Sequence, residues 1–188
     1  MDRPLSGGST WRRRLTRGLD LLAVAVVLTV LVRLFVLPRL FEAAVTPEVP
    51  FVLPALESGE FRLPARPGRV VFLDFWASWC EPCKASLPLV EHYARRHRDV
   101  ELLAIDTDEP REIGARFARE EGLRSVLLDS NGRVKRAYGV DGFPTIVVID
   151  PRGFIRARWP GFNPAIELAM DNARTTFEHA QVVSTMSP

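Results

Sequence analysis

Apolar residues set the frame of this chain. From Leu21 to Val32 they run for twelve residues without a charge, and with Arg33 included the run reaches Leu37. Seventeen residues make about 25 Å of helix, just long enough to span a bilayer. Arg33 lies within one turn of the apolar end, where its side chain can snorkel outward. Arg3, Arg12, Arg13, Arg14 and Arg17 precede the run and place the N-terminus inside and the C-terminus outside. Residues 1–18 therefore read as a basic cytoplasmic tail and 19–37 as a transmembrane anchor. Residues 38–50, with Pro38, Pro47 and Pro50, read as a stalk. The alternative is a cleaved signal peptide, but Phe41 or Glu42 stands where cleavage wants a small residue.

Beyond the stalk the pattern changes to short apolar runs alternating with amphipathic stretches, which predicts an α/β domain over residues 51–180. Phe51–Leu53 and Phe61–Leu63, separated by Glu57-Ser58-Gly59-Glu60, suggest a hairpin. Val70–Trp76 is apolar except for Asp74 and suits a strand buried on both faces. A helix follows from Glu81 to His97, with Pro88 inside it. Val100–Ile105 is a second core strand, and Arg111–Glu121 a helix opened by Pro110 and closed by Gly122. A short strand at 125–128, a turn at 129–132 and a short helix at 133–138 come next. Strands at 146–149 and 154–159 flank the turn Asp150-Pro151-Arg152-Gly153, and Asn163-Pro164 starts a last helix to about Ala180. Residues 181–188 read as a flexible tail.

The candidate chemistry sits where the buried strand meets the first helix, in Trp79-Cys80-Glu81-Pro82-Cys83. Two cysteines separated by two residues at a helix start can form and break a disulfide with little backbone motion. Free N–H groups and the helix dipole favour a thiolate at Cys80, the attacking group, and leave Cys83 as the more buried resolving thiol. Glu81 places a carboxylate beside that thiolate and opposes its ionisation. Pro82 has no N–H to lose in the first turn. Asp74, six residues before Cys80, is a charge in an apolar strand, where burial would hold its proton and make it a base for Cys83.

Composition narrows the alternatives. The chain carries 25 basic and 23 acidic residues, and the first twenty hold five arginines and two aspartates. The basic excess thus belongs to the N-terminus and gives no reason to invoke nucleic acid. Both cysteines lie in the motif, so there is no structural disulfide framework. His92, His97 and His179 show no spacing that would complete a zinc site, so no metal and no soluble cofactor is expected.

The stretch Val70–Lys84, "VVFLDFWASWCEPCK", resembles a thioredoxin active site, and together with "YGVDGFPTIVVIDPRG" it is similar to the membrane-anchored TlpA/ResA type of thioredoxin-like protein. The resemblance implies a thioredoxin fold: a central mixed sheet flanked by helices, an N-terminal hairpin, and a helix-strand insertion in the 61-position step from Cys83 to Pro144. It implies a redox-active Cys80–Cys83 disulfide, and a cis-proline at Pro144 that turns Phe143 toward the dithiol. Trp79, Phe143, Pro144, Glu81 and Pro82 would then contact substrate. The sequence departs from the pattern twice. No lysine follows in the strand 100–105 to pair with Asp74, and Ser86 stands where several relatives carry a glutamate. The expected function is reduction of disulfides in exported proteins, such as apocytochrome c or copper-site proteins, on the outer face of a bacterial cytoplasmic membrane. A membrane electron-donor protein would recharge it. The alternatives are a disulfide oxidant or isomerase running the same exchange backwards, and a copper-binding assembly factor using the cysteines as ligands. A peroxidase fits poorly, because no cysteine stands at the base of an earlier helix.

Overall fold

A computed structural model describes residues 46–185 apart from 58, 65–67 and 109, with side chains along the last helix described to Phe177. Of the apolar run it describes Val24, Val26, Val27 and Val30, which are helical and exposed. The expected cytoplasmic tail, the rest of the anchor, most of the stalk, and residues 186–188 lie outside the described residues. Among the described residues no helix is long and apolar enough to cross a membrane.

Eight strands and four helices follow one another from Thr46. The strands are β1 (Thr46–Pro47), β2 (Phe51–Pro54), β3 (Glu60–Leu63), β4 (Val70–Trp76), β5 (Val100–Asp106), β6 (Val126–Leu128), β7 (Thr145–Ile149) and β8 (Phe154–Pro160). The helices are α1 (Glu81–Arg96), α2 (Arg111–Glu120), α3 (Arg133–Ala137) and α4 (Ile166–Thr185). Six strands form one mixed sheet in the order β1-β8-β7-β4-β5-β6, and β2 and β3 form the separate hairpin. β4 lies at the centre, parallel to β5 and antiparallel to β7, and all seven of its residues are buried.

The alternation along β4 sorts its side chains between the two faces of the sheet. Val71, Leu73 and Phe75 join Leu103, Ile105, Val147 and Ile149 under the hairpin and α3. Val70 and Phe72 pack with Val90 and Tyr93 of α1 and Ile166 and Met170 of α4. Trp76 packs with Cys83 and Leu87 of α1 and Ala115 and Ala118 of α2. Asp74 has the same parity as Phe72 and Trp76, so it faces the helices at the seam between these last two clusters.

Two expectations at the ends of the domain need correction. Thr46–Pro47, assigned to the stalk, form an edge strand on β8, so the sheet begins at Thr46, ahead of the expected domain start at Phe51. An edge position tolerates a proline that a central strand would not. The Tyr138 hydroxyl donates to the Val49 carbonyl at 2.8 Å and accepts from the Val49 N–H at 3.2 Å, which ties this segment to the end of α3. At the other end, α4 continues to Thr185, past the expected limit near Ala180 and through part of the expected flexible tail. No glycine or proline interrupts Gln181–Thr185, so the backbone bonds continue. The same helix begins at Ile166 because Asn163-Pro164 forms a turn first, with Asn163 Oδ1 accepting from the Ala165 N–H at 2.9 Å.

Candidate active site

Cys80 is the N-cap of α1 and is joined to Cys83 by a disulfide, their Cα atoms 5.2 Å apart. The cap is made by sulfur, since the Cys83 N–H points at Cys80 Sγ at 3.2 Å. A helix start has N–H groups with no helical partner, and here one of them meets the atom that must carry negative charge after reduction. Both cysteines are buried, but Cys80 retains 4 % exposure and Cys83 none, so Cys80 is the one nearer the surface. Pro82 occupies the first turn, and Glu81 forms an exposed ion pair with Lys84 three residues on. That pairing partly neutralises the carboxylate expected to oppose the Cys80 thiolate.

The rim of the site is apolar. Trp79 is 69 % exposed and meets the ring of Phe143 edge-on at 5.8 Å between centroids. The Phe143–Pro144 peptide is cis. Its loop is braced from both sides. The Thr145 hydroxyl donates to the Gly142 carbonyl at 2.8 Å, and the Gly161 N–H donates to the Pro144 carbonyl at 2.7 Å. Lys135, on α3, holds its ammonium 4.7 Å from the centre of the Phe143 ring, a cation–π contact.

Asp74 is fully buried, and neither carboxyl oxygen has a hydrogen-bond partner among the described residues. The strand register explains its isolation: Ala104 stands opposite it on β5 and Ile146 on β7. The missing lysine is thus a real gap, filled by a methyl group. Burial pushes the Asp74 carboxyl up to about 8, with the charge of Glu91 adding to the effect.

A second acidic pair braces the loop leading to Cys80. Asp108 Oδ2 accepts from the Ser78 N–H at 2.6 Å, and Asp106 Oδ1 accepts from the Asp108 N–H at 3.0 Å. Thr107 donates both its N–H and its hydroxyl to the Trp76 carbonyl, each at 3.1 Å. Asp106 is 1 % exposed, and burial is the largest cause pushing its carboxyl up to about 8. Gly114 of α2 lies against it, and a Cβ there would fall inside the carboxylate. No short spacing in the sequence ties Asp106, Asp108 or Lys135 to the cysteines. Each arrives through the sheet order or a loop.

The structure therefore gathers Cys80, Cys83, Glu81, Pro82, Trp79, Phe143 and Pro144 at one end of the sheet, with Asp74 behind them. Such an arrangement can exchange a disulfide: a cysteine near the surface at a helix start, a fully buried second cysteine, and a high-pKa carboxyl beneath.

Comparison with known proteins agrees. The chain is 37 % identical over 109 residues to the thiol-disulfide oxidoreductase ResA of Geobacillus thermodenitrificans, a match covering 56 % of this chain and 63 % of that protein. It thus spans less than two thirds of that relative's length. A Chlorobium tepidum structure assigned as a thiol:disulfide interchange protein DsbE superposes with a TM-score of 0.65 at 29 % identity, over 71 % of this chain and 96 % of that one. The exposed lipoprotein thioredoxin of Streptococcus pneumoniae strain TIGR4 superposes with a TM-score of 0.56 at 29 % identity, over 65 % and 97 %. The fold is thioredoxin-like, a mixed sheet with helices on both faces. The AhpC/TSA family model matches residues 45–158, the span from β1 through most of β8, and the chain belongs to that family.

Proposed function

We propose that this protein is a thiol–disulfide oxidoreductase that reduces disulfides in exported proteins. The observation that carries the reading is the Cys80–Cys83 disulfide at the start of α1, with Cys80 at the edge of the surface and Cys83 fully buried. In the reduced protein, the Cys80 thiolate attacks one sulfur of a substrate disulfide. A mixed disulfide forms, and the other substrate sulfur leaves as a thiolate. Cys83 gives its proton to Asp74 and attacks Cys80 Sγ. The bond from Cys80 to substrate breaks, the second substrate sulfur leaves with its electron pair, and Cys80–Cys83 closes. Two electrons pass to the substrate, and the dithiol supplies them without a soluble cofactor. Trp79, Phe143 and Pro144 form the apolar contact surface, with Glu81 and Pro82 beside it.

The direction of exchange depends on potential. Titration of the full chain against a dithiothreitol couple is expected to give a value at or below about −270 mV, that of a reductant. A value near about −120 mV belongs to a strong oxidant and would reverse the direction.

The same reading places the domain outside the cytoplasmic membrane, tethered by residues 19–37 and recharged by a membrane electron donor. Support comes from the apolar run behind five arginines and from the exposed helical valines within it. Apocytochrome c and copper-site proteins are the proposed substrates, taken from the resemblance. After mild reduction of intact cells, a membrane-impermeant maleimide should label Cys80. Labelling only after lysis would place the domain on the cytoplasmic side.

A further inference from the structure

Asp74 finds no polar partner in the sheet, so any group that governs its proton must come from the helices above it. α1 runs back over β4 from the active-site end. Cys83, Leu87 and Glu91, spaced four apart, share the face of α1 that meets the sheet. Cys83 and Leu87 pack with Trp76, while Val90 and Tyr93, on either side of Glu91, pack with Phe72. Asp74 lies between Trp76 and Phe72 on the strand, and Glu91 lies where the same two clusters meet on the helix. The two carboxylates therefore share one buried layer.

Glu91 is 4 % exposed and fixed in place. Its Oε1 accepts from the Arg124 N–H at 2.9 Å, and its Oε2 lies 3.5 Å from Arg95 Nη1. It also lines a depression of about 110 Å³ with Lys84, Leu87, Pro88, Phe117 and Glu121. Glu91 thus lies between that depression and the layer that holds Asp74.

We propose that Glu91 is a positioning residue for the resolving step: its buried carboxylate, held by the Arg124 N–H between a surface depression and Asp74, sets the pH at which Asp74 is free to take the Cys83 proton. This rests on the oxidoreductase reading above. The step itself is unchanged. The Cys83 proton moves to Asp74, the Cys83 thiolate attacks Cys80 Sγ, and the substrate sulfur leaves with the electron pair of the broken bond. Glu91 makes and breaks no bond. Its negative charge opposes a second negative charge on Asp74, so Asp74 keeps its proton to higher pH while Glu91 is ionised.

The charged groups around Glu91 come from several elements. Asp74 faces it from β4, Lys84 and Arg95 lie on α1, and Glu121 follows α2. Arg124 precedes β6, and Glu101 of β5, with Arg69 and Arg98, lines a second depression that also touches Glu91. Arg95 and the Arg124 contacts favour the Glu91 carboxylate, whereas its burial, the larger effect, opposes it.

Glu91→Gln removes the charge but keeps an oxygen for the Arg124 N–H. In the full chain, the single-turnover rate of mixed-disulfide resolution should rise with pH as Asp74 ionises. The variant should move that midpoint down by roughly one pH unit and speed resolution at pH 7 about five-fold. Glu91→Asp keeps the charge and should hold the midpoint near that of the unaltered protein, as should Glu121→Gln at the depression wall. An unmoved midpoint in Glu91→Gln, or an equal shift in Glu91→Asp, overturns the proposal. The unaltered protein offers a test that needs no variant. The ¹³C shift of the Asp74 carboxyl should show a second inflection where Glu91 titrates, and a single inflection also overturns it. If Cys80→Ser leaves disulfide reduction intact, the oxidoreductase reading fails first. If Cys80→Ser is inactive and Glu91→Gln titrates unchanged, only the role of Glu91 fails.

Discussion

Cys83→Ser is expected to stop the protein at the mixed disulfide and lower turnover by about 10³-fold or more, the scale seen when one member of a catalytic unit is removed. Cys80 remains the N-cap of α1 and keeps its exposure, so the first attack still occurs. Without the second sulfur the adduct has no internal route out. The full chain carrying Cys83→Ser should therefore accumulate covalent complexes with its substrates, visible on a non-reducing gel and released by dithiothreitol. The complexes would also identify the substrates. Cys80→Ser should form none, because the remaining sulfur is fully buried. Adducts on Cys80→Ser in place of Cys83→Ser would reverse the roles of the two cysteines.

Asp74→Asn is expected to slow resolution by about 10² to 10⁴-fold, the usual contribution of a positioned base, while making the fold more stable. The two effects have one cause. The Asp74 carboxyl is raised from 3.8 to about 8 in the folded chain. An unfolded chain would release that proton near pH 4, so the folded state loses stability as pH rises from about 4 and has lost its full share above about 8. At pH 7 the loss has a ceiling of about 4 kcal/mol, from 1.36 kcal/mol per pH unit. Asparagine cannot ionise and removes this share, so the variant should gain stability at pH 7 and little at pH 4. Asp106 is raised in the same direction and keeps its own slope in the variant. Urea unfolding at both pH values measures the difference. Equal stability changes at the two would mean that the Asp74 carboxyl ionises as readily in the folded chain as in the unfolded one.

Whatever depends on neighbours a few residues apart is legible in the chain before it folds. β4 reads directly from seven residues of which six are apolar, because burial on both faces leaves no room for alternation. The placement of Cys80 at the cap and Cys83 a turn inside follows from helix geometry alone. Gly122, just past α2, marks the helix end in the sequence, and its positive φ in the fold agrees.

What surrounds those residues depends on how distant segments pack. That Asp74 is charged and buried was legible, but that Ala104 and Ile146 flank it depends on strand register. Nothing in the sequence singles out Glu91, and only the packing of α1 turns it inward. Asp108 reaches Ser78 from thirty residues away, and Lys135 reaches Phe143 from another element. The edge strand β1 had too few residues to show a period, and pairing with β8 created it. Hydrogen bonding within a helix turn or a tight loop is set by adjacent residues. A carboxyl's proton affinity is set by every charge and dipole within several ångströms, and those are assembled only when the sheet closes.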